Sequence, residues 1–107
     1  MAFYELRQYK SLPGKMDEFV RLMEDEIIPF QVAKGMVICG MFRGETDDNS
    51  FVWLRRFEDE AQRVALYAAV YETAYWKDDV TPKVTACLDR SAIVVSRIVP
   101  IAKSTMQ

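Results

Sequence analysis

The spacing of apolar residues changes along this chain, and the changes outline its elements. Phe3 to Lys10 reads as a strand, and Leu12-Pro13-Gly14 as a turn. From about Lys15 the spacing becomes helical. Met16, Phe19, Val20, Met23 and Ile27 fall on one stripe, with Asp17, Glu18, Arg21, Glu24 and Asp25 on the other side. Asp17 and Glu18 in the first turn suit the helix dipole. Pro29 has no backbone N–H to donate, so the helix is expected to end or kink near Ile28, with Gly35 terminating what remains.

Met36–Arg43 and Ser50–Phe57 predict two further strands, joined as a hairpin by the polar loop from Gly44 to Asn49. Both are apolar on both faces. Val37, Cys39 and Met41 oppose Met36, Ile38 and Phe42 in the first; Phe51, Trp53 and Phe57 oppose Val52 and Leu54 in the second. Asp59-Glu60-Ala61-Gln62 has the form of a capping box. It opens a helix expected to run to Ala74, burying Ala61, Val64, Ala65, Ala68 and Tyr71. Tyr75 to Asp79 breaks the pattern, and Thr81-Pro82 starts a short helix ending near Leu88. Ser91–Val99 is a last, β-branched strand, stopped by Pro100. The single domain is expected over residues 1–100, with 101–107 a loose tail.

The order β-α-β-β-α-β predicts an α+β fold of the ferredoxin-like kind, a four-stranded antiparallel sheet of order 4-1-3-2 with helices on one face. The other face is then left apolar and open, a larger exposed patch than a monomer usually carries. A second copy packed face to face is the simplest cover, so a homodimer is expected.

Composition narrows the function. The chain has 107 residues, half of them hydrophobic, and a net charge of −2. A single domain of this charge offers no basic face for nucleic acid. No apolar run is long enough for a membrane span, and no secretory signal opens the chain. Cys39 and Cys87 suggest buried thiols rather than a disulfide framework, which fits a cytoplasmic protein. Histidine is absent, which removes Ser-His and Cys-His nucleophile pairs and histidine metal ligands. There is no Gly-rich phosphate loop. Glu45, Asp47 and Asp48 read as a solvated loop rather than a metal site. No metal and no cofactor are expected.

The candidate chemistry lies on the first strand. Glu5, Arg7 and Tyr9 are two residues apart and share one face. They can form a pocket in which Arg7 clamps an anionic or enolate-like oxygen, Tyr9 donates a proton and Glu5 orients or acts as base. They can equally be an ion pair between strands or across a dimer. Arg43, Arg55, Arg56 and Arg97 lie in or beside strands. Arg55 shares a face with Trp53 and Phe57 and is expected near Arg7 or Glu5, where two guanidinium groups would favour a carboxylate; pairing with Asp59 or Glu60 is the alternative. Tyr67, Tyr71 and Tyr75 line one helical side ahead of Trp76. With Trp53 they form the wall of a ligand site or ordinary packing.

Tyr4-Glu5-Leu6-Arg7-x-Tyr9 followed by Pro13-Gly14-Lys15-x-x-Glu18-Phe19 resembles the opening of the NIPSNAP family. Pro29, Gly35, Val52-Trp53, Glu58 with Arg63, and Trp76 resemble its continuation, so the similarity spans roughly residues 3 to 99. The resemblance implies a dimeric α+β barrel, a group that includes cofactor-free monooxygenases, small-ring isomerases and heme-degrading enzymes; the missing histidine weighs against the last. Two readings remain open. One is a cofactor-independent enzyme acting on a small organic, anionic substrate, with Arg7, Tyr9 and Glu5 catalytic and Trp53, Arg55, Tyr71 and Trp76 binding the ligand. The other is a non-catalytic dimeric module that binds a small molecule or a protein.

Overall fold

The computed structural model describes residues 1–107. Its strands are β1 Phe3–Lys10, β2 Val37–Arg43, β3 Ser50–Phe57 and β4 Val94–Ile98, and its helices are α1 Met16–Leu22, α2 Ile28–Ala33, α3 Glu60–Tyr71 and α4 Thr81–Cys87. The sheet is antiparallel in the order β2-β3-β1-β4, the expected 4-1-3-2 arrangement. Opposed residues of antiparallel strands share a face. Phe3 lies opposite Phe57, Glu5 opposite Arg55, Arg7 opposite Trp53 and Tyr9 opposite Phe51, and these residues point toward the helices. No helix is long and apolar enough to cross a membrane.

The core lies almost entirely between the sheet and its helices. One cluster gathers Tyr9, Phe19, Met23, Phe51, Trp53 and Val80; a smaller one gathers Phe3, Met36, Phe57 and Val70. Between them, at the middle of β1 and β3, lie Glu5 and Arg55. The opposite sheet face is open. There Val37 is 48% exposed, Phe42 64%, Val94 51% and Ile98 44%. Only Tyr4 is buried on that side, under residues 101–107. These do not hang loose as expected. The tail folds back, and the Gln107 backbone oxygen accepts hydrogen bonds from Tyr4 Oη (3.0 Å) and Arg56 Nε (2.7 Å).

Four other expectations change. First, the helix does not stop before Pro29. A π-helical turn, Met23–Ile27, precedes α2, and Pro29 stands in the first turn of α2. Resetting the helix there puts the missing N–H where it costs little. Gly35, at φ +106°, does end it. Second, β2 shifts register between Ile38 and Gly40. This bulge at Cys39 breaks strict alternation, so Val37 and Phe42 share the open face while Ile38 and Met41 turn to the helices. Third, α3 ends at Tyr71, and a second π-helical segment, Tyr75–Val80, leads into α4. Fourth, α3 turns a different side inward. Leu66, Tyr67, Val70 and Tyr71 face the core, whereas Ala61, Val64, Ala65 and Ala68 are exposed. The larger side chains reach the sheet and the alanines do not, because tyrosine buries far more area than alanine.

The cap of α3 forms with one change: Asp59 Oδ1 accepts from the Gln62 N–H at 2.8 Å, but Gln62 Oε1 reaches one residue further back and accepts from the Glu58 N–H at 2.7 Å. Asp59→Ala is expected to cost about 1 kcal/mol, read as a lower midpoint in urea unfolding. An unchanged midpoint would mean that the cap contributes nothing.

Candidate functional site

β1 and β3 carry two arginines and one carboxylate into the protein interior. Arg55 is fully buried and Glu5 is 3% exposed. Register brings them together: Arg55 Nη2 donates to Glu5 Oε1 at 2.7 Å. Tyr67, from α3, donates to Glu5 Oε2 and accepts from Arg55 Nη2 at 3.1 Å. The second Arg55 nitrogen, Nη1, donates to Gln31 Oε1 at 2.9 Å and to Tyr71 Oη at 2.7 Å. The Arg55 guanidinium lies 4.8 Å from the Trp53 ring centroid and 5.3 Å from that of Tyr67, a setting that favours a delocalised cation.

Arg7 stands next to this cluster. Its Nε donates to Tyr9 Oη at 2.8 Å and its Nη1 to Tyr67 Oη at 3.3 Å, while Glu5 Oε1 is 3.5 Å from Nη1. Its Nη2 has no partner in the chain. Burial works against charge on Glu5, but the Tyr67 hydrogen bond and the Arg55 and Arg7 charges outweigh it and hold the carboxyl below its ordinary range. Burial and the Glu5 hydrogen bond push Tyr67 up to about 12. Burial likewise opposes charge on Arg7, yet the tyrosine oxygens around it, Tyr9 foremost, hold its pKa above the usual value. Two cations thus share one anion, and the interior carries one unbalanced positive charge, at Arg7.

That charge faces a cavity of about 170 Å³ between the sheet and the helices. Arg7 and Tyr9 form its polar end, and Trp53, Tyr71, Trp76, Met23 and Ile27 are among its walls. Arg90 and Thr81 also border it. The two π-helical segments supply Met23, Ile27 and Trp76, as such irregular turns often do at functional sites. A bond network ties these segments together outside the cavity: Glu26 accepts from Tyr75 Oη at 3.1 Å and from Lys83 Nζ at 2.9 Å.

Of the residues singled out from the sequence, Arg7, Tyr9, Trp53, Tyr71 and Trp76 border this cavity, while Glu5 and Arg55 stand behind it and hold the others. Glu5 has both oxygens engaged and does not reach the cavity, so a role as base gives way to that of a fixed counter-charge. Arg43 pairs with Asp17, Arg56 with Glu58 and Arg97 with Glu60, all away from the site. Tyr75 turns to Glu26. Asp47, in the hairpin loop, takes Lys10 and Ser50. No group of three His, Cys, Asp or Glu side chains is placed to hold a metal ion. Gln31, Thr81 and Arg90 were not anticipated. Gln31 did carry a signal. It continues the apolar stripe Met16, Phe19, Met23, Ile27 by one more turn, and a polar residue at a core position needs a buried partner.

A family model described as NIPSNAP matches residues 4–102. Among solved structures, a NIPSNAP family protein from Agrobacterium tumefaciens is 18% identical, with 100% of both chains covered and a TM-score of 0.87. A second protein from that organism, of the same family and with unknown function, is 22% identical, covers 99% of this chain and 94% of its own, and has a TM-score of 0.88. An uncharacterised NIPSNAP-like domain protein from Burkholderia xenovorans is 24% identical over 96% of this chain and 88% of its own, with a TM-score of 0.85. These likenesses are of fold. No curated protein matches the chain.

Proposed function

The chain belongs to the NIPSNAP family, and on that footing we propose that it binds a compact organic anion in the cavity beside Arg7. One observation carries this reading: a half-buried arginine with a free Nη2 borders a largely apolar chamber, and its only nearby carboxylate is already committed to Arg55. A ligand carboxylate or enolate oxygen on Arg7 Nη2, with the Tyr9 hydroxyl beside it, balances the charge. Size limits the ligand. An apolar cavity of roughly 150 Å³ accepts benzene, so a single ring or a short branched chain fills this one.

The cavity lining has no carboxylate, thiol or amine side chain. Binding is therefore the better-supported activity. The catalytic reading is confined to reactions that need a shaped chamber and oxyanion stabilisation, such as cofactor-independent oxygenation or isomerisation. It is favoured by the Tyr9 hydroxyl, whose oxygen accepts from Arg7 and whose proton is left to give. The reading further includes a homodimer through the open sheet face, and a cytoplasmic setting for the free thiols of Cys39 and Cys87.

Benzoate is the test ligand, followed by titration calorimetry. The wild type is expected to bind it, and Arg7→Gln to weaken binding about ten- to a hundredfold, the worth of one charge-assisted hydrogen bond. Benzyl alcohol, the neutral analogue, should bind both proteins alike. Equal benzoate affinity in the two proteins would remove Arg7 from the site.

A further inference from the structure

We infer that the ligand carries, besides its anionic group, a second oxygen that only accepts hydrogen bonds, which makes it an oxo acid rather than a simple or an amino acid. This rests on the anion site proposed above and concerns the other polar groups of the same cavity. Arg55 sets their direction. Its Nη1 donates to Gln31 Oε1 at 2.9 Å, which fixes the amide so that Nε2, the donor end, points the other way. That Nε2 has only a long contact of 3.5 Å, to Tyr71 Oη. The same Nη1 donates to Tyr71 Oη at 2.7 Å, so the Tyr71 oxygen is occupied as acceptor and its proton has no acceptor in the chain. Both residues border the cavity. Trp53 borders it too, is 2% exposed, and its Nε1–H is buried without a partner.

The cavity thus offers more donors than one anionic group answers. Arg7 Nη2 and Tyr9 Oη meet the anion; the Tyr71 hydroxyl proton, with Gln31 Nε2 beside it, is left for something else, and Arg90 borders the cavity as a further cation. Against them, beyond the phenols, stand only Thr81 Oγ1, whose proton goes to the Trp76 carbonyl at 3.0 Å, and the second lone pair of Gln31 Oε1. A carbonyl oxygen satisfies this second set. An ammonium adds a cation beside two arginines and leaves the donors unpaired, and a site built to hydrogen-bond rejects a ligand that cannot answer it. Arg55 is then a positioning residue, acting through Gln31 and Tyr71.

The experiment titrates wild type, Tyr71→Phe and Arg7→Gln with pentanoate, 2-oxopentanoate, 4-oxopentanoate and 2-aminopentanoate. At least one oxo acid is expected to bind the wild type about tenfold tighter than pentanoate, the worth of one buried hydrogen bond, and the amino acid more weakly than either. Tyr71→Phe should erase the oxo preference, so that the oxo acids and pentanoate bind that variant with the same affinity. Arg7→Gln should weaken every acid. If pentanoate and both oxo acids bind equally while Arg7→Gln still weakens all of them, the second acceptor is refuted and the anion site stands. If no acid binds the wild type, both fall. An oxo preference that survives Tyr71→Phe would also overturn the assignment.

Discussion

Arg55→Met is expected to destabilise the protein by about 3–5 kcal/mol, the usual result of removing one partner from a buried ion pair. Methionine matches the length of the aliphatic stem, so the loss is electrical more than steric. It strands Glu5 with Tyr67 and with Arg7 at 3.5 Å, and it frees the acceptors Gln31 Oε1 and Tyr71 Oη. For a domain of this length the melting temperature should fall by about 15 °C or more. The pH dependence gives the cause. In the wild type the Glu5 pKa is lowered on folding, so its contribution is fully present above the unfolded pKa and is lost as pH falls through the folded value. Without Arg55, two of the influences that lower the Glu5 pKa are gone while burial remains, so the folded pKa moves upward. The acid loss then shrinks, and the variant should lose less stability than the wild type as pH falls below 7. Glu5→Gln combined with Arg55→Met should recover most of the loss. A variant of unchanged stability, or one that weakens on acidification as much as the wild type, would refute the charge argument.

The second large effect concerns assembly. The row Phe42, Val52, Gln8 and Val94 crosses the open sheet face from β2 to β4. Phe42 and Val94 are more than half exposed in one protomer, so changing them to aspartate costs the protomer little. In a face-to-face dimer the same changes bury unpaired carboxylates in an apolar contact, at several kcal/mol each. Phe42→Asp with Val94→Asp is expected to convert a dimer at micromolar concentration into a 12.4 kDa species in sedimentation equilibrium. The cavity lies on the helix side and is complete within one protomer, so this variant should keep benzoate affinity within about twofold. A wild type that sediments as a monomer, or a dimer untouched by both aspartates, would refute the face-to-face assembly.

Much of this architecture was legible in the residues. Strand periodicity and the capping box fixed the order of elements, and that order left one reasonable sheet. That Glu5, Arg7 and Tyr9 share a face was legible because alternate strand residues do; which face of the sheet it was, and whether they met a ligand or a partner, was not. Which neighbour each would meet depended on register, which the hairpin bulge at Cys39 altered for β2. The inward side of α3 was misread because Ala61, Val64, Ala65 and Ala68 have the right spacing and the wrong size. Tyr67 and Tyr71 are of more use inside, where Arg55 needs their oxygens as acceptors. The cavity itself was not legible. It depends on two π-helical turns, and widening a helical turn leaves no periodic mark short of the proline that follows. Gln31 was readable in principle, as the polar end of an apolar stripe.

The most direct test is a crystal of the protein soaked in benzoate. The ring is expected between Trp53, Tyr71 and Trp76, with a carboxylate oxygen within hydrogen-bond distance of Arg7 Nη2 and Tyr9 Oη. Benzoate seated with its ring toward Arg7, or an occupied surface and a cavity without it, would contradict the claim that the unbalanced charge at Arg7 is what this fold holds ready for a ligand.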